Sequence, residues 1–296
     1  MQKPTIIGVG ELLWDNLPTG KKLGGAPVNF TYYACALGAN GYAVSAIGKD
    51  KSGEELLQNF EALGLTSTYI QRNDLPTSEV GVSLDSNGVA QYEIYQNVAW
   101  DNIIATSEVC SLAKSTSAIC WGSLAQRSVA SENAILQIVD CVPKNALKVF
   151  DINLRQNFYS KKVIENSLSR ANVLKLNEDE IVILSNMFEL TGSEIDKAKQ
   201  LIEKFNLQIA IITMGGDGSV IVSDKSEVSK LKASVSNVVD TVGAGDSFTS
   251  TFVTSILNGY SLTDSHNRAN LMASFVCSHE GAIVPHAEIE KFIENL

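Results

Sequence analysis

The sequence predicts an α/β fold in which a mostly parallel central sheet is covered by helices on both faces. Short apolar runs rich in Val and Ile, such as TIIGVG (5–10) and IAIITMG (209–215), recur along the chain. Segments of helical period separate these runs, and such alternation connects parallel strands by right-handed crossovers. Continuous apolar strands indicate a sheet that is buried on both faces. We therefore expect ligands to bind at the carboxyl ends of the strands.

The elements of this fold can be assigned in chain order. The helix predicted over 54–64 carries its large apolar residues on one face and ends at Gly64, as helices commonly do. The helix predicted over 193–205 begins with Ser193 and Asp196 at capping-box spacing. The strands predicted for the central sheet are 5–10, 42–48, 117–122, 147–153, 172–177, 209–215 and 219–224.

Residues 79–96 follow a different pattern, two alternating strands with no helical segment between them. Asn87 and Gly88 lie at their junction and supply the positive φ angles that a tight hairpin turn needs. We expect this hairpin to lie outside the central sheet as an antiparallel flap. The chain has no internal repeat and no Pro-rich linker, and residues 1–296 are interpreted as one domain.

Composition and charge favour a globular protein that binds small molecules. The chain has 296 residues, 45% of them hydrophobic, and a formal net charge of -10. That charge argues against nucleic acid and membrane partners, since both require clustered Lys and Arg. The five cysteines are widely spread, form no C-x-x-C pair and indicate free thiols in a reducing cytoplasm. Without a secretory signal or an apolar run of about 18 residues, we expect a cytoplasmic protein.

The stretch DTVGAGDSF places Gly243, Ala244 and Gly245 directly before Asp246 and a helical pattern. The N–H groups at a helix N-terminus attract anions, and glycines let a phosphate approach the backbone. A carboxylate beside that anion is explained if it takes a proton from the hydroxyl that attacks phosphorus. The alternative is a tight glycine turn in which Asp246 only caps the helix.

This stretch resembles the signature of the PfkB, or ribokinase-like, carbohydrate kinases. In that family the Gly-Ala-Gly backbone binds the transferred phosphoryl group and the following aspartate is the base, which is Asp246 here. The resemblance spans nearly the whole chain. It implies a ribokinase-like three-layer fold with a small β-strand lid, built from strands near residues 10–25 and 79–97. No P-loop pattern G-x-x-x-x-G-K-[ST] occurs.

The segment LGGAPVNF resembles the family's sugar-site signature, in which Gly24, Gly25 and Asn29 meet the substrate hydroxyls. Taken alone, it is equally typical of a glycine turn before a helix start.

Two further segments, GELLWD (10–15) and VAWDN (98–102), resemble the fructokinase branch. Of the two acids in the first segment, Glu11 after the glycine-ended strand and Asp15 four residues on, Asp15 is the expected sugar contact. A buried carboxylate that accepts two hydroxyl hydrogens discriminates strongly, since an analogue without them leaves its charge unpaired.

The segment DINLR resembles the family's D-x-N-x-R sequence, in which the arginine, Arg155 here, reaches sugar or phosphate. A planar guanidinium donates two parallel hydrogen bonds and suits a phosphate. An ordinary surface ion pair is the alternative for Arg155. Asp151 and Asn153 could serve either the sugar or the fold.

The segment NEDE resembles the family's N-x-x-E motif, which organises Mg²⁺ through water around the phosphates. The resemblance assigns that role to Asn177 and Glu180 and places Lys175 beside the nucleotide. Mg²⁺ keeps most of its waters and needs few direct protein ligands. The alternative is an acidic helix N-terminus that interacts with the helix dipole.

The nucleotide side of the predicted site rests on two further resemblances. The segment TMGGDGS is similar to the family's T-x-G-x-x-G nucleotide loop, although a Gly-rich hairpin between two strands is compatible with the same residues. A helical region near the C-terminus corresponds to the adenine wall, where His279 alternatively caps a helix. The residues that these resemblances place near the nucleotide are Thr213, Gly215, Gly218, Asn270, Ala273 and His279. A monovalent cation, K⁺, is implied near Asp240, Val242 and Ala282.

These motifs together imply an ATP- and Mg²⁺-dependent sugar kinase in which Asp246 activates a hydroxyl of the sugar. D-fructose, giving fructose 6-phosphate, is the first choice of substrate. Ribose, 2-keto-3-deoxygluconate and adenosine are alternatives, as is a non-catalytic sugar- or nucleotide-binding regulator on the same fold. An exposed lid face would permit a homodimer.

Overall fold

The computed structural model describes residues 3–17, 20–84, 90–234, 237–294 and 296. It confirms the predicted α/β fold. In the described residues the strands form two sheets, a large sheet between two helical layers and a small sheet beside it. Strands and helices are numbered below in chain order over the whole chain.

The central sheet is mostly parallel. Its order is β13-β12-β11-β10-β9-β8-β1-β4-β5, and only β12 runs antiparallel to its neighbours, which are β11 and β13. Its nine strands within the described residues are β1 Thr5–Val9, β4 Asn40–Gly48, β5 Ile70–Asn73, β8 Ala118–Trp121, β9 Leu147–Asp151, β10 Val173–Asn177, β11 Ile209–Thr213, β12 Ser219–Ser223 and β13 Val228–Leu231. The seven predicted strands are confirmed. The two that were not predicted, β5 and β13, are the edge strands, whose short sequences IQRN and VSKL lack a continuous apolar run.

Both faces of the central sheet are buried, as the continuous apolar strands predict. Ile7 and Trp121 face one hydrophobic layer, whereas their neighbours Ile6 and Cys120 face the other. Helices α3 to α7 cover the first face, and α1, α8 and α9 cover the second. The helices are α1 Ala26–Ala36, α2 Lys51–Ala62, α3 Ser107–Ala113, α4 Val129–Cys141, α5 Lys161–Leu168, α6 Glu178–Phe188, α7 Glu194–Phe205, α8 Ala244–Leu257, α9 Leu262–Cys277 and α10 His286–Ile293.

Two predicted helices can be compared with the structure in detail. Helix α2 begins three residues earlier than predicted, because Asp50 caps it by accepting a hydrogen bond from the N–H of Gly53. The predicted capping box of α7 is confirmed, with Ser193 as its N-cap and Asp196 as its partner. In the part of the chain that the structure describes, no helix is both long and apolar enough to cross a membrane.

The second sheet consists of β2 Leu13–Leu17, β3 Gly20–Gly24, β6 Ser78–Leu84 and β7 Ala90–Ile94 in the order β3-β2-β6-β7. Strands β6 and β7 pair antiparallel as predicted, and the turn predicted at Ser86 to Gly88 lies outside the described residues. Glu79 accepts hydrogen bonds from Asn16 Nδ2 at 3.1 Å and Ser52 Oγ at 2.8 Å. The first bond joins β2 to β6 within the second sheet, and the second attaches this sheet to the start of α2.

Candidate active site

The sugar-side and phosphoryl-side motifs meet at the N-termini of α1 and α8. Asp246 lies in the first turn of α8, and Asn29 lies in the first turns of α1. Asn29 Nδ2 donates a hydrogen bond of 2.8 Å to Asp246 Oδ2, across 217 positions of sequence. Both side chains therefore belong to one site.

The glycines before Asp246 leave the start of α8 open. Gly243 has a φ of 78°, and a Cβ there would lie 2.7 Å from Ala282 Cα, so a larger residue would be strained. Among the described residues, no side chain caps this helix. Its first N–H groups and its dipole are therefore available to an anion.

A buried ion pair lies beneath this turn. Lys175 Nζ is 3.1 Å from Asp151 Oδ1, and Thr249 Oγ1 donates a 2.9 Å hydrogen bond to Asp151 Oδ2. A Cβ at Gly245 would lie 2.9 Å from Lys175 Nζ, which places the ammonium group directly against the glycine backbone. Burial opposes the charged form of Lys175, but Asp151, Glu180 and Asp246 together raise its pKa. A fixed positive charge therefore supports the proposed anion position.

Burial raises the pKa of Glu180, and three further carboxyl groups of the site have raised pKa values for which burial is also the largest cause. The pKa rises to about 6 for Asp246, to about 6 for Asp15 and to about 7 for Glu11. Arg155 is exposed and lowers all three pKa values, so its positive charge acts on all three carboxyl groups. Carboxyl groups with pKa values close to neutral pH are typical of proton-transfer sites.

Glu11, which the sequence places second to Asp15 as a sugar contact, also belongs to this site. Its side chain is 3% exposed, and its Oε2 has no hydrogen-bond partner among the described residues. The backbone N–H groups of Glu11 and Ala26 lie against the carboxyl group and lower its pKa, so Glu11 also supports the start of α1.

The sugar-side glycines are required by close packing. A Cβ at Gly24 would overlap Asp15 Oδ2, and one at Gly25 would overlap the carbonyl oxygen of Glu11. Strands β2 and β3 pair so that Leu13 lies opposite Gly24. Asp15, Gly24, Gly25 and Asn29 are therefore brought together, as the resemblance implies.

The loop after β9 is connected to the start of α6. Glu180 Oε1 accepts a 2.7 Å hydrogen bond from the N–H of Leu154, and its Oε2 accepts one of 2.8 Å from Asn177. Asn177 in turn caps α6, and the first turn of this helix is acidic, as in the alternative of an interaction with the helix dipole. Asn153 and Gln156 flank Arg155 with positive φ values of 43° and 48°, a strained geometry common at functional sites.

These oxygens suit a magnesium ion only through water. Both carboxylate oxygens of Glu180 already accept backbone hydrogen bonds. Within the described residues, no group of three or more His, Cys, Asp or Glu side chains could hold a metal. Hard oxygen atoms beside Lys175 nevertheless fit an ion that retains its own waters.

The segment that resembles the nucleotide loop forms a hairpin, which is compatible with both interpretations of its sequence. Met214 and Gly218 are joined by a 2.8 Å backbone hydrogen bond at the tip between β11 and β12. Gly218 has a φ of 97°, and a Cβ there would overlap the carbonyl oxygen of Leu231 on β13. Thr213 ends β11, and Gly215 follows with a φ of 48°.

The residues predicted for the adenine wall have protein partners. Asn270 Nδ2 donates hydrogen bonds to Lys232 O and Ser234 Oγ. His279 lies just beyond the end of α9, where it contacts the carbonyl oxygen of Phe275 and the carboxylate of Glu288. Ala273 packs against the hydrophobic layer under α9.

The three residues predicted near a monovalent cation lie together. Asp240 accepts hydrogen bonds from the N–H groups of Val242 at 3.0 Å and Gly281 at 2.9 Å. Tyr33 Oη donates a 2.8 Å hydrogen bond to the carbonyl oxygen of Ala282. These contacts join the loop before α8 to the loop after α9.

Comparison with known proteins identifies the family. The chain is 25% identical to an ATP-dependent 6-phosphofructokinase of Thermoanaerobacterium thermosaccharolyticum, over 98% of this chain and 92% of that protein. It is 24% identical to fructokinase-2 of Solanum lycopersicum, over 92% of this chain and 88% of that protein. A solved structure of a sugar kinase from Pyrococcus horikoshii in complex with ATP is 25% identical to this chain in sequence and has a TM-score of 0.81. The match covers 97% of this chain and 97% of that one. Residues 11–289 match the pfkB family of carbohydrate kinases, and the chain belongs to that family.

Proposed function

We propose that the protein transfers the γ-phosphoryl group of ATP to a hydroxyl group of D-fructose, giving fructose 6-phosphate. The hydrogen bond between Asn29 and Asp246 carries this proposal, because it places the sugar-side amide against the candidate base. A relative named fructokinase supports the choice of sugar. A relative named 6-phosphofructokinase makes a phosphorylated sugar the main competitor.

Asp246 would accept the proton of the attacking hydroxyl. Its pKa of about 6 leaves it mostly ionised at neutral pH, yet basic enough to take a proton as the bond to phosphorus forms. Asn29 holds the carboxylate in place. Asp15, with Gly24 and Gly25 beside it, would bind further hydroxyl groups and set the sugar's orientation.

The phosphoryl group would lie on the open start of α8, at the backbone of Gly243, Ala244 and Gly245. Lys175 and Arg155 would stabilise the charge that accumulates there. The base and phosphates of ATP would lie along the hairpin at Thr213 to Gly218 and the adjoining α9.

Two cations are expected with the nucleotide. Asn177 and Glu180 would hold Mg²⁺ through water, and the ion supplies charge neutralisation at the phosphates. Asp240 and the backbone of Val242 and Ala282 would hold K⁺ beside the start of α8.

The second sheet would act as a lid on a single domain. Asp15 on β2 belongs to the site, so closure of this sheet over the sugar would bring Asp15 to it and exclude water. Exclusion of water matters because water competes with the sugar hydroxyl as a nucleophile.

The test is ATP-dependent release of ADP with Mg²⁺ and K⁺ across fructose, fructose 6-phosphate, ribose, 2-keto-3-deoxygluconate and adenosine. We expect the highest kcat/KM with fructose. Asp264→Asn is a matched control for Asp246→Asn, since Asp264 also lies in the first turn of a helix. That helix is α9, which begins after the end of α8 opposite Asp246. Turnover with another acceptor would reject fructose but retain the mechanism, and no turnover with any acceptor would favour the binding-only alternative.

A further inference from the structure

Arg127, which is not among the residues of the candidate site described above, is a buried charged residue between a carboxylate and two aromatic rings. It ends a 3-10 turn that follows β8, and its side chain is 5% exposed. Its Nε and Nη2 donate hydrogen bonds of 2.8 and 2.9 Å to the two carboxylate oxygens of Asp101. The guanidinium carbon lies 4.0 Å from the ring centroid of Trp100 and 4.7 Å from that of Phe158. Both rings are within cation–π distance.

These contacts join two segments that serve the site. The first is the return from the second sheet, where Arg127 Nη2 also donates to the carbonyl oxygen of Tyr95, one residue after β7. The carboxylate of Asp101 accepts a 3.1 Å hydrogen bond from the N–H of Val98 in the same segment. The bidentate pair therefore fixes how the chain leaves the second sheet.

The second segment is the loop that carries Arg155. Phe158 belongs to this loop, and its N–H donates a 3.1 Å hydrogen bond to the carbonyl oxygen of Arg155. Because Phe158 packs on the guanidinium of Arg127, a displacement of Arg127 would release the loop as well.

The arrangement is costly for stability alone. A buried ion pair contributes little net stability compared with apolar side chains of similar volume. Arg127 Nη1 is buried and has no hydrogen-bond partner among the described residues, which adds a desolvation cost. A need to hold the neighbouring segments in a fixed geometry therefore explains this pair better than a need for stability.

We propose that Arg127 is a positioning residue that couples the second sheet to the Arg155 loop, so that the sheet and the phosphate-side arginine adopt their working positions together. This inference rests on the proposed kinase function. It assigns Arg127 no contact with the substrate. Its effect on the reaction passes through Arg155 and through the exclusion of water by the second sheet.

The test uses Arg127→Met and Arg127→Lys, with Arg170→Met as the control. Arg170 also donates to an aspartate, Asp140 at 2.9 Å, but this pair is far more exposed. We expect Arg127→Met to reduce kcat/KM for the sugar by about tenfold or more, since small misplacements of catalytic groups have effects of this size. The KM for the sugar should rise more than the KM for ATP. The ratio of sugar-independent ATP hydrolysis to sugar phosphorylation should also rise, and Arg127→Lys should restore part of each loss.

Hydrogen exchange of the resting protein gives a readout that does not depend on turnover. We expect faster amide exchange in Arg127→Met at residues 95–98 and 154–158, with the rest of the chain unchanged. Kinetics and exchange indistinguishable from those of Arg170→Met would overturn the proposal. So would exchange that rises evenly over the chain in both variants, because it would show a merely structural role. A wild-type protein that phosphorylates no sugar would reject the proposed function, whereas the exchange pattern would still decide whether Arg127 holds both segments.

Discussion

Replacing Glu11 by Gln is expected to remove a pH dependence of folding stability that has its source in one buried carboxyl group. Burial, with a smaller contribution from Asp246, raises the pKa of Glu11 from its ordinary value of 4.5 to a net value of about 7, against the opposing effects of backbone N–H groups and Arg155. A raised pKa means that the folded protein binds the proton more tightly than the unfolded chain does. The stabilisation is therefore complete below about pH 4.5 and is lost as the pH rises through about 7.

The size of this effect follows from the difference between the two pKa values. A difference of about 2.5 in pKa corresponds to roughly 3 kcal/mol, at 1.36 kcal/mol for each pKa unit. We expect the free energy of unfolding of the wild type to fall by about this amount between pH 5 and pH 8, relative to Glu11→Gln. Asp15 and Asp246 titrate in the same range, so only the difference between the two proteins isolates Glu11.

The assay is urea unfolding at several pH values between 5 and 8, analysed by linear extrapolation. Glu165→Gln on the exposed face of α5 is the control and should run parallel to the wild type. If wild type and Glu11→Gln keep the same difference in stability at every pH, the raised pKa of Glu11 is refuted.

Three further predictions concern Asp246, the buried pair of Lys175 and Asp151, and the hairpin that contains Gly218. The pH profile of kcat/KM should fall on the acid side below about pH 6, because protonated Asp246 cannot accept the hydroxyl proton; a flat profile down to pH 5 would argue against this base. Lys175→Met should lower the free energy of unfolding by about 3 to 5 kcal/mol in chemical denaturation, since it leaves Asp151 buried without its partner; a stability within 1 kcal/mol of the wild type would show that the pair is not buried as described. Gly218→Ala should lower the melting temperature and weaken ATP binding through its overlap with β13 and a strain of about 1 to 3 kcal/mol, whereas Gly216→Ala, which has open space at its Cβ, should not; equal effects would reject the packing argument.

The interior of the fold could be predicted from the sequence because its strands and helix caps are determined by residues that lie close together in the chain. Most buried strands of the central sheet are largely apolar runs, such as TIIGV in β1 and IAIIT in β11, and the capping box of α7 is contained in four residues. The edge strands β5 and β13 could not be predicted in this way, because they are short, partly exposed and defined by pairing with a neighbour. Their hydrogen bonds, not their composition, make them strands.

In the candidate site, too, single residues could be predicted from the sequence, whereas contacts between distant elements could not. The sequence indicates Asp246 and Asn29 separately, but the hydrogen bond between them depends on how α1 and α8 pack. The dual use of Glu180 could not be read from NEDE, since one of its partners, Leu154, lies on another loop. The sequence places Glu11 second to Asp15, and its raised pKa could not be predicted because burial, which causes it, is a property of the folded chain.

The role proposed for Asp246, the base of a sugar kinase, can be tested in a single-turnover experiment. Wild type and Asp246→Asn would be mixed with ATP, Mg²⁺ and fructose, and the sugar phosphate formed would be measured beside the affinity of each protein for ATP. We predict fructose 6-phosphate from the wild type, and formation slower by a factor of about 10² to 10⁴ from the variant, with ATP affinity changed only a few-fold. Formation of sugar phosphate by Asp246→Asn at the wild-type rate would contradict the assignment of the base.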